Sequence, residues 1–65
     1  MNTTQKLKAA RRQVGEIFAK EFCDIPIPIM STIPIMSAGV AAILSGGDYS
    51  EIVAAMRTAV EAATA

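Results

Sequence analysis

Apolar residues recur at intervals of three and four at both ends of this chain, whereas its middle is apolar on every side. The first stretch, about residues 3–23, has one apolar stripe, and its charged side chains mostly point elsewhere. The stripe consists of Leu7, Ala10, Val14, Ile17, Phe18 and Phe22. The last stretch, about residues 48–64, repeats this spacing. Such periodicity is typical of amphipathic helices. The pattern therefore predicts an all-α protein in which two polar helices flank an apolar centre.

The centre begins with a segment rich in proline and isoleucine. No charged side chain occurs among the 23 residues between Asp24 and Asp48, and the sequence Ile-Pro-Ile-Met-Ser occurs at 27–31 and again at 33–37. Pro26 and Pro28 fix their own backbone angles, lack amide donors, and disfavour the helical conformation of the residues before them. We therefore expect an extended, proline-rich arm over residues 24–32.

A short apolar helix is predicted next, over about residues 33–45. Ser31 or Thr32 can cap it, and Pro34 falls in its first turn, where a missing amide is harmless. Because this helix has no charged face, we expect it to be buried in a core, in an interface or in a bilayer.

A helix stop follows at Ser45-Gly46-Gly47-Asp48. Gly46 or Gly47 can adopt the left-handed conformation that ends a helix. Asp48 and Glu51 have the spacing of a capping box at the start of the next helix. The sequence thus predicts an antiparallel hairpin of helices at about 33–45 and 48–64.

The chain is short for an independent fold. With 65 residues it forms one small helical domain, residues 1–65, whose core is marginal. One cysteine and no histidine exclude an internal disulfide and a closed Cys/His zinc site. We therefore expect the fold to depend on oligomer or assembly contacts, or on lipid. Cys23, among apolar neighbours at a helix end, is expected to be a buried, inert thiol; the alternatives are lipidation and cross-linking between subunits.

The usual catalytic patterns are missing from the sequence. Without histidine there is no Ser-His or Cys-His pair, and no glycine-rich loop precedes a lysine. The carboxylates do not have metal-binding spacing either. We predict a protein that is not an enzyme, with no cofactor, no metal and no small-molecule substrate.

Charge is divided unevenly along the chain, although the total is zero. Residues 1–23 contain five basic and two acidic side chains, whereas residues 24–65 contain one basic and four acidic. This division suits head-to-tail packing of subunits, or a basic end on anionic lipid or nucleic acid. Weak contact with an anionic surface is predicted for Lys6, Lys8, Arg11 and Arg12.

Three functional hypotheses arise from burial of the apolar centre. The first is a structural subunit of a larger protein assembly, such as a virion or filament component; in size and composition the chain resembles small phage structural proteins. The predicted interface residues are Ile25, Ile27, Ile29, Met30, Ile33, Ile35, Met36, Val40, Ile43 and Leu44.

The alternatives are a small integral membrane protein that spans at about residues 25–45, in one version perturbing the membrane, and a soluble helical oligomer that acts as a binding module. The predicted central helix of about 13 residues is roughly 20 Å long, shorter than a bilayer core, which favours burial against protein. The apolar run begins too late for a cleavable signal peptide. The sequence therefore leaves the location open between an assembly and a membrane.

Overall fold

Three α-helices make up the fold of residues 2–65. A computed structural model describes residues 2–65 and contains helix α1 (Thr3–Glu21), a 3-10 turn (Ile29–Ser31), helix α2 (Thr32–Leu44) and helix α3 (Tyr49–Thr64). Residues 2–65 contain no β-strand. The predicted all-α class is confirmed.

Helix α1 is capped at its start and ends slightly earlier than predicted. The Asn2 side chain accepts a hydrogen bond from the Gln5 amide at 2.8 Å, which satisfies one free donor of the first turn. The helix ends at Glu21, and the Phe22 amide donates to the Phe18 carbonyl at 3.0 Å. The chain then turns through residues 22–25.

The segment between α1 and α2 is less extended than predicted. Only residues 26–28 lack regular structure, and Pro28 has polyproline-like angles of φ −58° and ψ 142°. The Ser31 amide then donates to the Pro28 carbonyl at 2.9 Å and closes the 3-10 turn Ile29–Ser31. Proline lacks a donor but keeps its acceptor, so a turn can start directly after Pro28.

Helix α2 continues from this turn without the predicted side-chain cap. Ser31 has helical angles, φ −83° and ψ −11°, whereas an N-cap residue normally has an extended backbone. The Thr32 hydroxyl instead donates back to the Ile29 carbonyl at 2.7 Å. Among residues 2–65, no helix is both long enough and apolar enough to cross a lipid bilayer.

The stop between α2 and α3 is a Schellman motif followed by a capping box. Gly46 takes the left-handed conformation, with φ 86°, and its amide donates to the Ile43 carbonyl at 3.0 Å. The Gly47 amide donates to the Ala42 carbonyl at 2.9 Å. The Asp48 side chain accepts from the Glu51 amide at 2.9 Å, and the Glu51 side chain accepts from the Asp48 amide at 3.3 Å. These bonds join α2 and α3 by a tight turn.

Helix α2 packs against both α1 and α3, which contact each other less. Gly39 lies where the three helices meet. A Cβ atom at this position would lie 2.9 Å from Val14 Cγ1 and 3.0 Å from both Cγ and Sδ of Met56. The missing side chain therefore allows the helices to approach closely. The surrounding core consists of Val14, Ile17, Phe22, Ile35, Ile52, Met56 and Val60.

Aromatic side chains connect the end of α1 to α3. The Tyr49 hydroxyl donates to the Glu21 carboxylate at 2.8 Å, and the Lys20 ammonium lies 5.8 Å from the centre of the Tyr49 ring. On the same end of α1, the Arg57 guanidinium lies 5.4 Å from the centre of the Phe22 ring. Cations at these distances are attracted to the ring face.

Candidate interaction surface

Four large apolar side chains remain exposed around the start of α2 and along it. Ile29 is 85% exposed, Met30 81%, Ile33 67% and Leu44 53%. We call these four residues the exposed apolar surface. A scattered exposed apolar residue is ordinary in proteins, whereas a group of large ones indicates a contact with another molecule.

The helical repeat explains why this surface is continuous along α2. Positions three and four residues apart share one side of a helix, so Ile33, Ser37, Ala41 and Leu44 lie in one row. All of them are exposed, and none is charged. The opposite row, with Ile35 and Gly39, is buried in the core. The helix therefore has two apolar sides, of which the chain covers one.

A groove runs between the exposed row of α2 and the first half of α1. We call it the α1/α2 groove. Arg11 is its only charged lining residue and provides a cation at the edge of an otherwise uncharged surface. The groove is lined by Leu7, Arg11, Ile33, Met36, Ser37, Val40, Ala41 and Leu44.

The predicted interface residues divide into three groups. Ile35 is fully buried within the chain's own core, so it is not available for contact with another molecule. A second group is half-buried and packs against that core; it comprises Ile25, Ile27, Met36, Val40 and Ile43. The four residues of the exposed apolar surface remain accessible. The sequence could not separate these groups because apolar residues occur on every side of α2.

Leu7 is a groove residue that the predicted interface lacks. Its place in the apolar stripe of α1 assigns it to the core, together with Val14 and Ile17. Both of those residues are buried, whereas Leu7 is only half-buried and faces the groove. Periodicity identifies the apolar side of α1 but does not show which part of that side a facing helix covers.

The four predicted anion-contact residues lie on different sides of α1. Lys8 and Arg12 share one side with Gln5 and Glu16. Arg11 borders the α1/α2 groove, and Lys6 lies beside Ile43 and Leu44 at the end of α2. Two of the cations therefore flank the exposed apolar surface, and two point away from it.

Cys23 is exposed, so its predicted burial is wrong. The physical reason is the early end of α1. Phe22 is buried in the core, and the chain turns directly after it, which places Cys23 in the turn. The thiol lies 3.7 Å from the Asp24 carboxylate.

Tyr49 is also large and exposed, at 46%, but the chain provides its partners. The hydrogen bond to Glu21, together with partial desolvation and the negative charge of that carboxylate, raises the pKa of Tyr49 above its usual value. Ile29, Met30, Ile33 and Leu44 differ from Tyr49 because their side chains have no hydrogen-bond donor.

Within the described residues 2–65, no three His, Cys, Asp or Glu side chains lie close enough together to hold a metal ion. No protein-family model matches the chain, and no curated protein and no solved structure matches it significantly.

Proposed function

We propose that this protein is a non-enzymatic structural subunit of a larger protein assembly of the virion or filament type. In this assembly, neighbouring copies cover the exposed apolar surface. The observation that carries the proposal is the exposure of Ile29, Met30, Ile33 and Leu44 on a chain that has filled its core with other residues. Such a surface indicates contact with protein or membrane. Helix α2, with 13 residues, is roughly 20 Å long and shorter than a bilayer core, which favours burial against protein.

The size of the surface supports repeated contacts rather than one strong contact. Complete burial of a large apolar side chain contributes about 1.5–3 kcal/mol. Because the residues of the exposed apolar surface are already partly covered, their joint contribution stays below roughly 12 kcal/mol by the same measure. Association costs about 4–15 kcal/mol in lost freedom. One contact is therefore weak, whereas a subunit held by several neighbours is stable.

The same contacts are proposed to support the fold itself. A chain of 65 residues buries a small fraction of its surface. Contacts made only by the folded chain shift the equilibrium towards the folded state. We expect thermal stability to rise with protein concentration over the range in which assembly occurs.

A pair of substituted chains tests the proposal. Ile29→Asp with Ile33→Asp adds charge to the exposed apolar surface. These two positions are exposed, so the substitutions should disturb the fold little. Ile35 is not substituted because it is buried in the core. Ala54→Asp is the control, since Ala54 is exposed on α3. Sedimentation velocity should show particles larger than one chain for the wild type and for Ala54→Asp, and single chains for the double variant.

Equal assembly of all three proteins would overturn the proposal, because the surface would then be unnecessary for contact. Extraction of the wild type only by detergent would also overturn it, and would place the surface in lipid instead. Circular dichroism of each variant checks that the helices are intact.

A further inference from the structure

Positive and negative side chains are unevenly distributed around the exposed apolar surface. Residues 2–15 contain four cations, Lys6, Lys8, Arg11 and Arg12, and no carboxylate side chain. Arg11 lines the α1/α2 groove, and Lys6 lies on the other side of Leu44, in a separate depression beside Ile43. The edge of the apolar surface formed by α1 is therefore positive.

Carboxylates collect where the end of α1 meets the start of α3. Glu21 accepts the hydrogen bond from Tyr49, and Asp48 and Glu51 form the capping box next to that tyrosine. Asp24 lies in the exposed turn that follows α1. We call these carboxylates the acidic junction; its residues are Glu21, Asp24, Asp48 and Glu51. Lys20 and Arg57 lie at the same end of the molecule, against the Tyr49 and Phe22 rings, so the net charge there is −2.

We propose, on the basis of the proposed function, that the exposed apolar surface is covered by a second copy of this chain that docks head-to-tail with its acidic junction beside Lys6 and Arg11. Complementary charge is the reason for this choice of partner. A symmetric pair that used the α1/α2 groove on both copies would bring the same cations of both chains to one interface. Like charges placed together across an interface oppose association.

A head-to-tail contact joins different surfaces of two identical chains. Such a contact leaves one free groove and one free acidic junction after each addition, so it continues into a ring or a filament. It also makes the rate of assembly dependent on ionic strength, because the steering charges are exposed and screened by salt. Both consequences agree with a subunit of an extended assembly.

Charge reversal on each side of the contact provides the test. Lys6→Glu with Arg11→Glu replaces the two cations that flank the exposed apolar surface with carboxylates. Asp24→Lys with Glu51→Lys changes the net charge at the acidic junction, counted with Lys20 and Arg57, from −2 to +2. Each double variant alone should sediment as single chains. An equimolar mixture should assemble, because each contact between the two different variants pairs opposite charges again.

Two further double variants serve as controls. Lys8→Glu with Arg12→Glu changes the charge by the same amount on a different side of α1 and should assemble like the wild type. Asp24→Asn with Glu51→Gln removes charge without reversing it and keeps an acceptor for the Asp48 amide, because glutamine also completes a capping box. This variant should assemble weakly and should melt at nearly the wild-type temperature.

The outcomes separate this inference from the proposed function. The head-to-tail contact would be overturned if the chain with Asp24→Lys and Glu51→Lys assembled fully while the chain with Ile29→Asp and Ile33→Asp did not. That result would still support the proposed function as a structural subunit. A wild-type chain that stays single in buffer would overturn both proposals. Binding of that single chain to vesicles of phosphatidylglycerol and phosphatidylcholine would identify lipid as the cover.

Discussion

The two sides of α2 are similarly apolar, but one side is buried in the core and the other is exposed. Ile35 is completely buried between α1 and α3, whereas Ile33, only two positions earlier, is 67% exposed. Both are isoleucines in the first turns of the same helix. The difference shows that the position of the neighbouring helices, and not the hydropathy of α2, decides which side becomes the core of the chain.

Both sides also contain small residues, and here too the surroundings differ. Gly39 on the buried side contacts Val14 and Met56, which leave no room for a methyl group. Ser37 and Ala41 on the other side line an open groove. Small residues thus allow close packing on the buried side and leave a concave surface on the exposed side.

The largest expected difference in stability is between alanine substitutions at Ile35 and at Ile33. Ile35→Ala removes a core side chain and should lower the free energy of unfolding by about 2–5 kcal/mol. That loss is a large part of the stability of a domain this small. Ile33→Ala should change it by less than about 0.5 kcal/mol in dilute solution, where the exposed side is uncovered. Urea unfolding followed by circular dichroism measures both values, and equal losses would show that Ile33 is covered within a single chain.

A smaller difference in stability is expected between alanine substitutions at the helical glycines Gly39 and Gly15. Gly39→Ala forces Val14 and Met56 apart and should destabilise the chain by about 1–3 kcal/mol, because overpacking outweighs the better helix propensity of alanine. Gly15→Ala places its methyl group 3.8 Å from Met36 Cε, an ordinary contact. This change should stabilise the chain by up to about 1 kcal/mol. Thermal unfolding of both variants checks the opposite signs, and the same sign for both would contradict the proposed crowding at Gly39.

The smallest expected effect is a pH dependence of stability caused by Tyr49, the exposed large side chain whose partners lie within the chain. Its folded pKa is raised above the usual value of about 10. The stability that this shift represents is present below pH 10 or so, and is lost as pH rises through the raised pKa. Glu21→Ala should return the pKa towards 10, and Glu21→Gln should have a smaller effect because the amide still accepts a hydrogen bond.

Because Tyr49 is the only tyrosine and the chain lacks tryptophan, an ultraviolet titration reports it directly. A wild-type pKa equal to that of the unfolded chain would show that the contact between Tyr49 and Glu21 is absent in solution.

Local sequence signals predicted the helices and the stop before α3 well. Gly46 and Asp48 end one helix and begin the next through contacts with residues close to them in sequence. A few neighbouring residues are therefore enough to predict this turn. Asn2 likewise caps α1 within a single turn. The 3-10 turn Ile29–Ser31 was missed, because proline restricts the residue before it but does not determine the conformation of the residues after it.

The candidate surface could be predicted only in outline. The run of uncharged residues included Ile29, Met30, Ile33 and Leu44 in the predicted interface, and these four side chains are exposed. It also included Ile35, which the chain buries itself. The choice between these isoleucines depends on where α1 and α3 lie, and that arrangement is set by contacts such as Gly39 with Met56, between residues far apart in sequence.

Methionine oxidation tests most directly whether other copies cover the exposed side of α2. Met30 is 81% exposed in the single chain and belongs to the proposed contact, whereas Met56 is fully buried and serves as an internal control. The wild type at assembling concentration, without lipid or detergent, should oxidise slowly at Met30, and Ile29→Asp with Ile33→Asp should oxidise rapidly there. Met56 should react slowly in both, as measured by mass spectrometry of peptides. Rapid oxidation of Met30 in the assembled wild type would contradict coverage by neighbouring copies, because the surface would then be open.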